Sequence, residues 1–112
     1  MKFCLVNGIQ QNQIDIENRG LAYGDGLFTT AKIIDGKIQY LSSHIQRLLL
    51  GCEKLALLAP NKVELTKQLS LVAKQYDLAV LKVIITASGG GRGYARSTEP
   101  KNDLIIMVHD YP

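Results

Sequence analysis

Apolar residues recur along this chain at two different periods, and the change of period divides it into strand-like and helix-like regions. The opening run Phe3–Val6 closes on Asn7-Gly8, a pair that tolerates the positive φ of a tight hairpin turn. Residues 9–16 can return beside it as a shorter strand, so an N-terminal hairpin is expected. A second pair of β-rich runs, 27–34 and 37–41, flanks Asp35-Gly36. Both central residues of a primed turn must tolerate positive φ, which Asp and Gly do, so these runs predict a second hairpin.

From residue 42 the period lengthens. Ser42 or Ser43 can cap a helix whose apolar stripe is Ile45, Leu48, Leu49, Cys52, Leu55 and Ala56. Pro60 separates it from a second helix, which Asn61 can cap while Glu64, three residues on, completes a box-like pair. Leu65, Leu69, Val72, Ala73 and Tyr76 form the buried face of that helix. Residues 79–87 (AVLKVIITA) are rich in β-branched side chains and predict a central strand, and residues 104–109 (LIIMVH) predict another. A polar loop over 88–103, including GGGRGYARSTEP, joins them. The order β-β-β-β-α-α-β-β predicts an α+β domain with two helices packed on one face of a mostly antiparallel sheet. The chain stops at Tyr111-Pro112, directly after a strand, so the expectation is of one domain from a longer protein.

Composition narrows the classes. A chain of 112 residues suffices for one core and not for two, and 46% hydrophobic residues exclude a disordered tail. Cys4 and Cys52 lack CxxC spacing and offer no disulfide framework, which fits a reduced, cytoplasmic setting. No apolar stretch is long enough to span a bilayer and the N-terminus lacks a long apolar signal core, so no membrane partner is expected. A net charge of +3 permits anionic small molecules and does not by itself argue for nucleic acid.

Little in the chain matches familiar catalytic patterns. His44 and His109 have no second ligand at metal-binding spacing, so no metal site is expected; His44 reads as an exposed residue in a first helical turn and His109 as a strand-end residue. The glycine run 89–91 is followed by Arg-Gly and not by Lys-Ser/Thr, so it is no phosphate loop of the Walker type. Arg47 stands near the N-terminal end of its helix, where the helix dipole favours acids. It reads either as a snorkelling surface arginine or as a bidentate donor to an anion. GGGRGYAR admits three readings: a flexible surface loop, an RGG-like nucleic-acid segment, or a bend that projects Arg92 and Tyr94, two residues apart, over a site. The stretch NRGLAYGDGLFTT is odd in another way. It packs Gly20, Gly24 and Gly26 into seven positions and then places Thr29 and Thr30 where a core strand would carry Val or Ile.

Taken in this order and at these distances, NRGLAYGDGLFTTAKIIDGKI, LSSHIQRL and SGGGRGY resemble the N-terminal domain of the fold-type IV pyridoxal-phosphate enzymes. That family includes D-amino-acid and branched-chain aminotransferases and 4-amino-4-deoxychorismate lyase. The resemblance covers essentially the whole chain, residues 1–112. GGGRGY with Thr29-Thr30 is most similar to the lyase branch, since the aminotransferases often carry Glu where this chain has Thr29.

The resemblance implies pyridoxal 5'-phosphate as cofactor. It implies that the YGDG turn delivers the following strand to the cofactor's edge, with Phe28 and Thr30 lining the site and Thr30 as a proton donor when the enolpyruvyl group leaves. It implies Arg47 as the ligand of the cofactor phosphate, and Arg92 and Tyr94, like Phe28, as substrate-facing residues. The family's Schiff-base lysine, in a stretch resembling K-x-x-N-R, belongs to a C-terminal domain absent from this chain; Lys32, Lys82 and Lys101 stand in other contexts. The chain alone is therefore expected to be inactive. For the whole enzyme, a cytoplasmic homodimer, the implied reaction is conversion of 4-amino-4-deoxychorismate to 4-aminobenzoate and pyruvate, a step towards folate. An aminotransferase of the same fold is the alternative within the family. A small nucleic-acid-binding module using GGGRGYAR is the alternative outside it, and the resemblance carries no such partner.

Overall fold

The computed structural model describes residues 1–89 and 101–112. In chain order these form β1 (Phe3–Val6), β2 (Ile9–Gln10), α1 (Arg19–Tyr23), β3 (Gly26–Ile34), β4 (Lys37–Ile38), α2 (Leu41–Lys54), α3 (Lys62–Ala73), β5 (Leu78–Ser88) and β6 (Lys101–His109). The strands make one six-stranded sheet in the order β2-β1-β6-β5-β3-β4. Each of its pairings is antiparallel. The α+β architecture matches the sequence expectation, with α2 and α3 together on one face; α1 lies on the other.

Alternation along the strands sorts their side chains between those faces. Ala31 and Ile33 of β3, Leu81, Val83 and Ile85 of β5, and Ile106 and Val108 of β6 are buried on the helix-covered face. All of these but Ala31 join Ile45, Leu48 and Cys52 of α2 and Leu65, Leu69, Val72 and Ala73 of α3 in a single core. Each fully buried Leu, Ile or Val among them contributes on the order of 1.5–3 kcal/mol. A small second cluster, Cys4, Val6 and Ile105, lies on the opposite face.

Both hairpin turns take the form their residues predict, with positive φ at Asn7 and Gly8 and at Asp35 and Gly36. Their return strands are shorter than expected: β2 and β4 hold two residues each. The run 37–41 ends early because Tyr40 takes a left-handed conformation and starts α2 at Leu41, so neither Ser42 nor Ser43 is the cap. That conformation breaks the ladder and turns the chain over the sheet. At the other end α2 stops at Lys54, Ala56 adopts positive φ, and Leu57 takes the buried place expected of Leu55. α3 begins as expected, with Asn61 Oδ1 accepting from Glu64 N at 3.0 Å. It ends at Ala73, so Tyr76 packs against the core from beyond the helix. β5 runs one residue beyond each expected bound, and β6 ends at His109 as expected but begins earlier, at Lys101. No helix of the described residues is long and apolar enough to cross a membrane.

The helix α1 was not expected, and its cause is tertiary. Five residues are too few for a helix to stand on propensity alone, and one of them is Gly20. Asn18 holds the start: its Oδ1 accepts from Leu21 N at 3.1 Å, while its Nδ2 donates to Thr86 Oγ1 at 3.2 Å and to Asp103 Oδ2 at 3.3 Å. Asn7 Nδ2 donates to the other oxygen of Asp103 at 3.0 Å, tying in the first hairpin. Arg19 Nε donates to Asp25 Oδ2 at 3.2 Å, a nearly buried ion pair that closes NRG onto GDG. Gly24 ends the helix in the left-handed region at φ 65°. Gly20 and Gly26 are where α1 and β3 meet β5 too closely for a side chain. A Cβ on Gly20 would overlap the Thr86 methyl, and one on Gly26 would lie 2.6 Å from Ile85 O.

Two stability measurements check this account. Gly20→Ala should lose about 1–3 kcal/mol through overpacking, and Thr86→Ser, which removes the methyl in the way, should recover much of that loss in the double variant. Simple addition of the two single effects in denaturant unfolding would contradict the close approach. Asn61→Ala should lower the urea midpoint by the equivalent of about 1 kcal/mol; an unchanged midpoint would mean that the cap contributes nothing.

Candidate functional site

β3 is paired with β5 along its whole length, but β4 covers its outer edge only at Ile33 and Ile34. Among the described residues no strand pairs with that edge from Gly26 to Ala31. On the face opposite α2 and α3, rows of side chains run across the sheet from this edge. Phe28 stands opposite Ile84 and Ile105, Thr30 opposite Lys82 and Met107, and Lys32 opposite Val80 and His109. Phe28 is 59% exposed, and the Lys82 ammonium lies 4.6 Å from its ring centre. A hollow of about 350 Å³ begins beside Phe28 and is walled by Ile14, Asn18, Leu21, Ile84 and Thr86 among others. Thr30 and Lys82 stand next to it and are not part of its wall.

Phe28 and Thr30 thus share the open face, as strand alternation requires of residues two apart, and Thr29 belongs to the other. Thr29 is 3% exposed on the helix-covered face, and its Oγ1 lies 2.7 Å from His44 Nδ1, with one hydrogen between them. His44 is correspondingly half-buried, not the exposed residue expected. A β-branched residue suits the strand and its hydroxyl finds a partner, so Thr fits where Val would leave the imidazole unpaired.

His44 has its pKa lowered, first by burial and then by the Arg47 charge. A folded-state pKa below the unfolded one means that the unfolded chain binds the proton more readily. The corresponding stability is present at neutral pH and is lost as pH falls through the ordinary imidazole range.

Arg47 is exposed on α2, nearly two turns past its start and not one turn past a serine cap. At 3.6 residues per turn it stands about 60° round the helix from His44 and about 40° from Gly51. Both of those residues touch β3: His44 reaches Thr29, and Gly51 sits where a Cβ would meet Leu27. Arg47 is the next side chain round that flank, away from the buried stripe. With Ser43, Gln46, Leu50, Gly51 and Lys54 it lines an open hollow of about 420 Å³. This wall offers two cations, a hydroxyl and a carboxamide and carries no acid. The donor set fits a phosphate group.

Arg92 and Tyr94 lie outside the described residues. Among the described residues no cluster of His, Cys, Asp and Glu could hold a metal ion. Lys82 was set aside in the sequence because its context did not match a cofactor-binding lysine. It alternates with the buried Leu81 and Val83, which marks it as outward-facing, and the β3–β5 register sets it opposite Thr30.

Residues 26–112 match the model of the family described as amino-transferase class IV. An aminodeoxychorismate lyase from Vibrio harveyi is 31% identical over 108 residues, covering 96% of this chain and 40% of the lyase. A D-alanine aminotransferase from Listeria monocytogenes is 28% identical over 116 residues, covering 100% of this chain and 37% of that protein. The crystal structure of 4-amino-4-deoxychorismate lyase from Pseudomonas aeruginosa superposes with a TM-score of 0.89 at 33% identity, over 97% of this chain and 40% of the other. The chain therefore spans about 40% of the length of the relatives it matches. With its sheet, its α2–α3 layer and the segment from Gly26 onward all shared, the chain belongs to the class IV aminotransferase family.

Proposed function

We propose that this chain is part of a pyridoxal-phosphate-dependent lyase that converts 4-amino-4-deoxychorismate to 4-aminobenzoate and pyruvate. The observation that carries the reading is the Thr30–Lys82 pair, a hydroxyl-bearing and an ammonium-bearing residue set opposite each other by the β3–β5 register on the open face. Two lyases, one in sequence and one in structure, support it over most of the chain.

In this reading each residue has its own task. Arg47 holds the cofactor phosphate by charge-assisted bonds, with Ser43 and Lys54 beside it in the same hollow. When bound, the cofactor supplies an electron sink for the carbon that bears the substrate nitrogen. Phe28 offers an apolar face to the substrate ring, and Lys82, held over Phe28, pairs with a substrate carboxylate. Thr30 passes a proton to the ether oxygen as the enolpyruvyl group departs. A threonine hydroxyl is a poor acid by itself, so its proton must be replaced from a lysine or a water. Arg92, from the segment after β5, binds the second carboxylate, and Tyr94 borders the substrate.

The test is product analysis with the full-length protein, cofactor and 4-amino-4-deoxychorismate. Pyruvate and 4-aminobenzoate in equal amounts are expected. Amino transfer to a keto acid without pyruvate release would replace the lyase with an aminotransferase, the reading that the Listeria relative would support. In the same protein, Arg47→Ala should raise the cofactor dissociation constant roughly ten- to a hundredfold. Unchanged retention would return Arg47 to the surface. Thr30→Val should lower kcat by about 10²–10⁴ with little change in KM, and a wild-type kcat would remove Thr30 from the reaction.

A further inference from the structure

We propose that Thr29 and His44 are positioning residues for Arg47, fixing the anion-binding flank of α2 in register with the strand that carries Phe28 and Thr30. The inference rests on the anion role of Arg47 given above and goes beyond it. It concerns two residues that touch neither hollow.

The first observation is that α2 begins without a side-chain cap. Tyr40 occupies the cap position in a left-handed conformation and makes no capping bond, whereas α3 has the Asn61 cap. Apolar packing by Ile45, Leu48 and Cys52 holds the helix down but is not directional. A hydrogen bond is directional, and the 2.7 Å contact between Thr29 Oγ1 and His44 Nδ1 joins the first turn of α2 to the sheet.

The second observation is where that bond is anchored. Thr29 is one residue from Thr30, with the two side chains on opposite faces, and His44 is three residues before Arg47 on the same flank. One short path therefore runs from the open face, through the backbone of β3, to the guanidinium. Thr29 also interrupts an otherwise apolar row, Leu27, Ala31 and Ile33. A buried hydroxyl there without a partner would be unfavourable, so the pairing with His44 settles the rotation of both groups. The Arg47 charge acts on the imidazole, which places the two side chains within electrostatic reach. If α2 rolled about its axis, Arg47 would move further than the backbone because its charge lies at the end of a long side chain. A misplacement of about 1 Å is enough to weaken a geometrically demanding contact.

The experiment uses the 112-residue chain and inorganic phosphate as probe, with the Arg47 Nε–Hε resonance and the backbone amides of α2 followed by NMR. Arg47→Ala serves as the control for the anion site itself. Thr29→Val keeps shape and strand propensity, so the chain should fold, and phosphate affinity at Arg47 should fall about three- to tenfold. Thr29→Ser restores the hydroxyl and should keep affinity within about twofold of wild type. His44→Asn, whose carboxamide can reach the same hydroxyl, should also retain most of it. A role limited to general stability would lower the unfolding midpoint without this hydroxyl-dependent pattern of affinity. If Thr29→Val binds phosphate as wild type does while Arg47→Ala does not, the positioning role is overturned and the anion site stands. Equal loss in Thr29→Val and Thr29→Ser would likewise overturn it. A wild-type chain whose Arg47 resonance ignores phosphate, or an Arg47→Ala chain with unaltered affinity, would remove the anion site and this inference together.

Discussion

The nine-residue pairing of β3 with β5 is the constraint on which the rest depends. It fixes the alternation of β3, so that every second side chain faces the helices and the others face outward. Thr29, Ala31 and Ile33 then belong to the core side, and Phe28, Thr30 and Lys32 to the open side. A register slip of one residue would exchange the two sets and bury Lys32. β5 resists such a slip from both faces, because Leu81, Val83 and Ile85 are buried under the helices while Thr86 receives α1 on the other side.

α1 and α2 approach this strand pair from opposite faces. α1 reaches it through glycines and a polar hub at Asn18, α2 through Gly51 and the Thr29–His44 bond. The glycine-rich turn is therefore more than a connector. It is the means by which an ion pair, a short helix and the start of β3 pack against Ile85 and Thr86 without a side chain between them. That packing fixes where Phe28 and Thr30 emerge.

Much of this was legible in the sequence because it follows from local chemistry. Asn-Gly and Asp-Gly mark turns by their tolerance of positive φ, Asn61 with Glu64 marks a helix start, and the stripe through Ile45, Leu48 and Cys52 has a helical period. What escaped depends on distant partners. α1 exists because Thr86 and Asp103, more than sixty residues away, complete the bonding of Asn18. Tyr40 starts α2 from a conformation that tyrosine rarely adopts, which composition does not announce. The divergence of Thr29 from Thr30 and the alignment of Lys82 with Thr30 were implicit in strand alternation. They became definite only once the β3–β5 register was known.

The two-faced nature of β3 is the central claim, and thiol labelling tests it directly. The native Cys4 and Cys52 are both buried, so an aqueous thiol reagent applied to the folded chain should report mainly on introduced cysteines. Thr30→Cys and Phe28→Cys should react as exposed thiols do, while Thr29→Cys and Ala31→Cys should react only when the chain is unfolded. Equal labelling of Thr29→Cys and Thr30→Cys in the folded state, or the reverse order, would contradict the assignment of faces and the site built on it.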